Sequence, residues 1–295
     1  MANEPRCPLT RLTADSVTLA YDNAHPVVDE LSFAVPEGRI TCIIGPNGCG
    51  KSTLLRSLAR LLRPSSGAVL LEGQAIHQLP TKQVARRIGL LPQGPVAPSG
   101  LTVADLVARG RFPHRGPLDS WSREDEAAVE HALSATRTDE LRDRQVDELS
   151  GGQRQRVWIA LALAQRTSVL LLDEPTTHLD VAHQLEVLDL LAELNRSERR
   201  TVVMVLHDLN EAARYGDHLV AMRAGRIVSE GTPAAVVTAD TVRDVFGIDC
   251  HILTDPVTGG PLVVPVGRAP RPPQSKGPAP CSTSSPPSAS TATAP

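Results

Sequence analysis

Two adjacent carboxylates, Asp173 and Glu174, close the apolar run Val169-Leu170-Leu171-Leu172, and far upstream stands the loop Gly45-Pro46-Asn47-Gly48-Cys49-Gly50-Lys51-Ser52-Thr53. The loop has the spacing G-x-x-x-x-G-K-[ST], in which glycines let successive backbone N–H groups turn inward around a phosphate. Lys51 supplies a mobile positive charge for outer phosphates, and the Ser52 hydroxyl suits a Mg2+ ion. Asp173 offers that ion a carboxylate, and Glu174 can polarise an attacking water. Because successive strand residues point opposite ways, the two acids are expected to divide this work between them. His207, after the apolar run Thr201 to Leu206, can donate to a transferring phosphate. Gln93, after Ile88-Gly89-Leu90-Leu91-Pro92, can ligate Mg2+ through its carbonyl oxygen or orient a water. A second anion-receiving end is expected at Ser150-Gly151-Gly152, where a helix cap precedes glycines that obstruct no N–H group. The Tyr21 ring can stack on a base, although a tyrosine on a strand surface is the commoner reading.

Such groups act together only if strands and helices bring them to one place. Ile40 to Ile44 reads as a buried strand before the glycine loop, and the leucines from Leu54 to Leu62 recur at helical spacing after it. That strand, loop and helix context is what separates a phosphate loop from a chance glycine match. Residues Leu12 to Val35 alternate or run apolar, punctuated by Pro26 and Pro36-Glu37-Gly38, which predicts an antiparallel β-portion. Ala68 to Gly73 reads as a further strand and turn. Ser122 to Leu133 reads as a charged helix with a serine cap and an acidic first turn. Residues from about 95 to 165 form a helical unit inserted into an α/β body, ending in the helix that follows Leu149-Ser150-Gly151-Gly152-Gln153. Thr177-His178-Leu179-Asp180 is a polar turn before the helix of Leu185, Val187, Leu188, Leu190 and Leu191. His218 to Met222 and Arg226 to Val228 read as strands, and Thr241 to Phe246 as a helix. From Arg268 onward no Leu, Ile, Val, Phe, Met, Trp or Tyr occurs, so a disordered tail is expected over 268–295.

Composition narrows the alternatives. The 295 residues carry 30 basic and 33 acidic side chains, a formal charge of -3, so no global basic field argues for nucleic acid. The five cysteines, at 7, 42, 49, 250 and 281, lack C-x-x-C spacing, which fits a reduced protein better than a disulfide scaffold or a metal site. The longest apolar stretch, Val157 to Ala164, is too short to cross a bilayer, so a membrane role is expected to be peripheral and through a partner.

Taken together, these words resemble the ATP-binding subunits of ABC transporters over roughly residues 9–267, with 1–8 a short extension. Among them the chain is most similar to the ATPases of ferric siderophore, haem and cobalamin importers, through the loop Gly45 to Thr53, Arg109-Gly110-Arg111-Phe112-Pro113-His114, Gly152 to Ala160 and Leu206-His207-Asp208-Leu209-Asn210. Ser99 departs from the glutamate that similar proteins often carry there. The resemblance implies an α/β ABC nucleotide-binding domain: a RecA-like P-loop core, an antiparallel β-subdomain and an inserted α-helical subdomain. It implies Tyr21 at the adenine, Gly45 to Thr53 as Walker A, Gln93 as the Q-loop and Leu149 to Gln153 as the signature that grips the partner's ATP. It further implies Asp173 as the Walker B aspartate, Glu174 as the catalytic glutamate, Asp180 as the D-loop and His207 as the switch histidine. Expected with these are ATP and Mg2+, a head-to-tail homodimer, two transmembrane permease subunits, an extracytoplasmic substrate-binding protein, and a place on the cytoplasmic face of the membrane. Siderophore import is the favoured cargo reading, with haem or cobalamin import as the alternative. A soluble ABC ATPase acting on ribosomes or DNA is a reading from another class, but it commonly has two such units or a coiled-coil insertion, and this chain has neither.

Overall fold

The computed structural model describes residues 12–21, 25–116 and 118–266. The expected 1–8 extension and 268–295 tail lie outside the described residues. Strand β1 (Leu12–Leu19) pairs antiparallel with β2 (Val28–Val35), setting Leu12 opposite Val35 and Ala14 opposite Phe33. Five residues later β3 (Ile40–Ile44) is buried at every position, as its run, apolar but for Thr41, predicts for a strand covered on both faces. The glycine loop follows, then α1 (Lys51–Leu58), β4 (Ser66–Leu71), β5 (Gln74–Ala75), α2 (Thr81–Ala85) and β6 (Ile88–Leu91). Three helices then intervene: α3 (Val103–Ala108), α4 (Arg123–Ala135) and α5 (Gly151–Ala164). The chain returns through β7 (Val169–Asp173), α6 (Val181–Glu198), β8 (Thr201–Val205), α7 (Leu209–Tyr215), β9 (His218–Arg223) and β10 (Arg226–Gly231). It closes with α8 (Pro233–Val236), α9 (Ala239–Phe246) and the pair β11 (Cys250–Thr254) and β12 (Pro261–Pro265).

The strands form a four-stranded antiparallel sheet, β2-β1-β4-β5, and a six-stranded sheet, β10-β9-β3-β8-β7-β6, in which all but β10 run parallel. Residue alternation splits the core. Ile43, Leu171, Val203 and Val205 face α1 and the antiparallel sheet, while Cys42, Ile44, Leu170, Leu172, Val202 and Met204 face the helices on the other side. Because the strands are parallel, the C-terminal ends of β3, β6, β7 and β8 share one edge, where an α/β sheet binds ligand. No described helix is long and apolar enough to cross a membrane.

Several elements escape the sequence pattern, among them α7 and the last hairpin. Helix α7 is capped by Asp208, whose carboxylate accepts from the N–H groups of Asn210 and Glu211. The β11–β12 hairpin carries Pro at both ends of β12, which argues against a strand unless, as here, the strand pairs on one side only.

The three inserted helices are tied to the sheet's flank by the turn Arg109–His114. The Arg111 guanidinium is almost wholly buried, donating from Nε to Asp125 Oδ1 at 2.8 Å and from Nη1 to the Ala164 carbonyl at 2.9 Å. On the other side, Lys82 in α2 and Arg86 just after it donate to the carbonyls of Arg115 and Pro113 respectively. Asp125 also completes the Ser122 capping box of α4. Burial alone would push its carboxyl up, but the bonds from Arg111 and Ser122 outweigh that and hold it at about 2. This carboxylate therefore contributes stability above its unfolded pKa that is lost as pH falls towards 2. Arg111→Met strands the buried acid, and is expected to cost about 3–5 kcal/mol in a urea titration. An unchanged midpoint would show that the pair is not structural.

Candidate functional site

The shared strand edge opens into a cavity of about 510 Å3, bounded by residues of the 47–53 loop and by Tyr21, Gln93, Glu174 and His207. The loop's shape is fixed where it leaves β3. Gly45 has φ +151, and a Cβ there would sit 2.2 Å from the Met222 carbonyl oxygen, so only glycine lets the chain turn beside β9. Helix α1 then begins with no side-chain cap and no acid in its first turn, which keeps its positive end available to an anion.

Lys51 is not the mobile charge its position suggests. It is 5% exposed, and its Nζ donates to the carbonyls of Gly45 at 2.9 Å and Pro46 at 3.0 Å. A buried ammonium must be matched by acceptors, and the loop supplies them from its own backbone. The charge is thereby held over the loop that would wrap a phosphate.

Beside it, the Ser52 hydroxyl donates to Asp173 Oδ1 at 2.7 Å. Asp173 is the last residue of β7 and is buried; burial pushes its carboxyl up, partly offset by the Ser52 bond. A hydroxyl and a carboxylate side by side are hard oxygen donors, and Mg2+ is commonly held by one or two such protein ligands together with phosphate oxygens. The described residues contain no cluster of three or more His, Cys, Asp or Glu that could hold a metal by itself. The donor set therefore fits Mg2+ arriving with a nucleotide, and not a metal caged by protein alone.

Strand alternation does not aim Glu174. Strand β7 ends at Asp173, and Glu174 adopts φ +53, in the left-handed region, so a turn directs its side chain. Its carboxylate is nearly buried and meets three groups. Oε1 lies 2.6 Å from His207 Nε2, and Oε2 accepts from Gln93 Nε2 at 2.6 Å and from the Thr177 hydroxyl at 3.0 Å. Gln93 and His207, expected to address a phosphate or its metal, here address the Glu174 carboxylate. Thr177 was missed from the sequence, where it is one hydroxyl in a polar turn; its place three residues after the acid, past Pro175, is the only signal.

Tyr21 stands at the cavity's rim, 59% exposed, with its hydroxyl 3.3 Å from Thr53 Oγ1. The remaining expected residues lie elsewhere. Ser150 caps α5, its Oγ accepting from Gln153 N–H while Gln153 Oε1 accepts from Ser150 N–H. Leu149 is buried beneath that end. Gly152 serves packing as much as an open N–H: a Cβ there would come within 2.3 Å of the His183 ring on α6. Gly151 borders a second cavity, of about 400 Å3, which shares only Gln93 and Glu174 with the first. Asp180 caps α6, accepting from His183 N–H at 3.0 Å, and this bond is the first cause holding its carboxyl low. The starts of α1 and α5, both expected to receive an anion, thus border different cavities, through Lys51 and Gly151 respectively.

Residues 28–177 match the family described as "ABC transporter". Over 260 residues the chain is 56% identical to the Bacillus subtilis (strain 168) protein named "Probable siderophore transport system ATP-binding protein YusV", covering 88% of this chain and 94% of that one. It is 52% identical to the "Ferric enterobactin transport ATP-binding protein FepC" of Escherichia coli (strain K12), covering 88% and 96%. Among solved structures it superposes on the dimeric ATP-binding cassette MJ0796 in a post-hydrolysis state bound to ADP and Pi. That match has TM-score 0.66 and 28% identity, and covers 75% of this chain and 98% of the other.

Proposed function

Since the chain belongs to the ABC transporter family and is an ATP-hydrolysing, ATP-binding subunit of an importer, we propose that it energises uptake of a ferric siderophore through two permease subunits, from the cytoplasmic face of the membrane. The observation that carries this reading is the identity of 56% and 52%, over 88% of this chain, to relatives named for siderophore and ferric enterobactin transport. An extracytoplasmic substrate-binding protein delivers the cargo, and nucleic acid has no part.

In this reading the first-turn N–H groups of α1 and Lys51 hold the outer phosphates, and Tyr21 stacks on adenine. Ser52 and Asp173, with the Gln93 carbonyl oxygen, hold Mg2+, which when bound neutralises charge on the phosphate oxygens. The triphosphate gives Lys51 stronger acceptors than the Gly45 and Pro46 carbonyls, because charge-assisted hydrogen bonds are roughly twice as strong as neutral ones. It likewise gives Gln93 and His207 an anion to address other than Glu174. Glu174 is then free to take a proton from water as that water attacks the terminal phosphate. Residues Leu149 to Gln153 face the ATP of a second copy, with Asp180 at the seam, so that each nucleotide is bound between Lys51 of one chain and Ser150 of the other. The dimeric form of the MJ0796 cassette supports such a pairing. The helical unit carries closure to the permease through Gln93.

Uptake of iron-labelled siderophore by cells with and without this chain tests the cargo, with labelled haem and cobalamin alongside. Loss of ferric siderophore uptake alone is the expected result. Loss of cobalamin or haem uptake with siderophore uptake intact would overturn the assignment.

A further inference from the structure

We infer that Thr177 is a positioning residue for hydrolysis, holding the Glu174 carboxylate from within its own turn; the inference rests on the reading of Glu174 as the base. The three partners of that carboxylate are not equivalent. Gln93 follows β6 and His207 follows β8, and both leave Glu174 in the proposed cycle to address the metal and the terminal phosphate. Neither can hold the base while it works. Thr177 lies three residues on in the same turn, which is closed by its N–H donating to the Glu174 carbonyl at 3.3 Å. It therefore travels with Glu174 whatever Gln93 and His207 do.

The direction of approach matters as much. Glu174 borders both cavities, whereas Thr177 borders only the one away from the nucleotide loop. Its hydroxyl reaches Oε2 from behind, without occupying space that the phosphate needs. With Oε2 engaged, Oε1, the oxygen that meets His207, is left to accept the proton from water. A glutamate carboxylate swings about several single bonds, and a fixed donor limits it to orientations near attack, which is where orientation contributes to rate. The left-handed backbone at Glu174 makes a local holder more useful, because the turn that aims this side chain is itself costly for a residue with a Cβ.

Thr177→Val keeps the branched shape and removes the hydroxyl, while Thr177→Ser keeps the hydroxyl. In the full-length chain, Thr177→Val is expected to lower kcat about tenfold with KM and equilibrium ATP affinity unchanged. Thr177→Ser should stay within about twofold of the parent. Added to Glu174→Gln, Thr177→Val should cost nothing more, since the group it positions is gone. Parental kcat in Thr177→Val, equal impairment of the Val and Ser variants, or a loss carried by KM would each overturn the inference. If Thr177→Val does not fold, Thr177→Ala is read by the same criteria. Full turnover in Glu174→Gln alone would instead remove the base assignment, a failure distinct from that of Thr177.

Discussion

Glu174→Gln is expected to lower ATP turnover by about 10²- to 10⁴-fold while leaving ATP binding intact. The amide matches the carboxylate in size, so it fits among Gln93, Thr177 and His207, but it cannot take a proton from water. Binding is spared because the groups assigned to the phosphates, Lys51 and the start of α1, are untouched, and the variant removes a negative charge from the wall that faces them. Paired measurements of steady-state hydrolysis and equilibrium ATP binding separate the two effects. Retained turnover would take Glu174 out of the mechanism.

Lys51→Ala is expected to act on binding itself, weakening ATP affinity about 10- to 100-fold, as for loss of a hydrogen bond to a charged group. The structure adds a reason for a large effect. The ammonium is already desolvated and held by two loop carbonyls, so little further ordering is needed when a phosphate displaces them. The alanine variant loses both the charge and the brace across Gly45 and Pro46. Equilibrium titration with ATP, next to a melting curve showing the fold intact, is the check. An unchanged Kd would mean that the loop's N–H groups suffice and that the lysine serves only the loop.

Much of this site is legible in the sequence because its parts sit where strands end. The runs Ile40 to Ile44, Val169 to Leu172 and Thr201 to Leu206 are apolar but for Thr41 and Thr201, as suits buried parallel strands, and the next residues in each case carry the chemistry. The order of strands in the sheet is not written in such runs, since each is equally compatible with any buried neighbour. Side-chain direction was harder still. Strand alternation fails at Glu174 because its aim comes from a left-handed turn, and the bonds from Lys51 to Gly45 and Pro46 depend on loop shape, not on residue type. Thr177 was hidden for a similar reason: a hydroxyl in a polar turn has many possible partners, and only the fold selects one. The Arg111 pairing crosses from a helix-linking turn to the first turn of α4, where no short-range period reports it.

The proposed mechanism turns on a nucleotide shared between two copies, a reading supported by the different cavities that the starts of α1 and α5 border. Sedimentation of the Glu174→Gln chain with and without ATP and Mg2+ tests this most directly. A shift from monomer to dimer on adding ATP, reversed by Ser150→Arg at the facing helix end, is the predicted result. A chain that remains monomeric at saturating ATP, while the parent monomer hydrolyses ATP at its full rate, would contradict it.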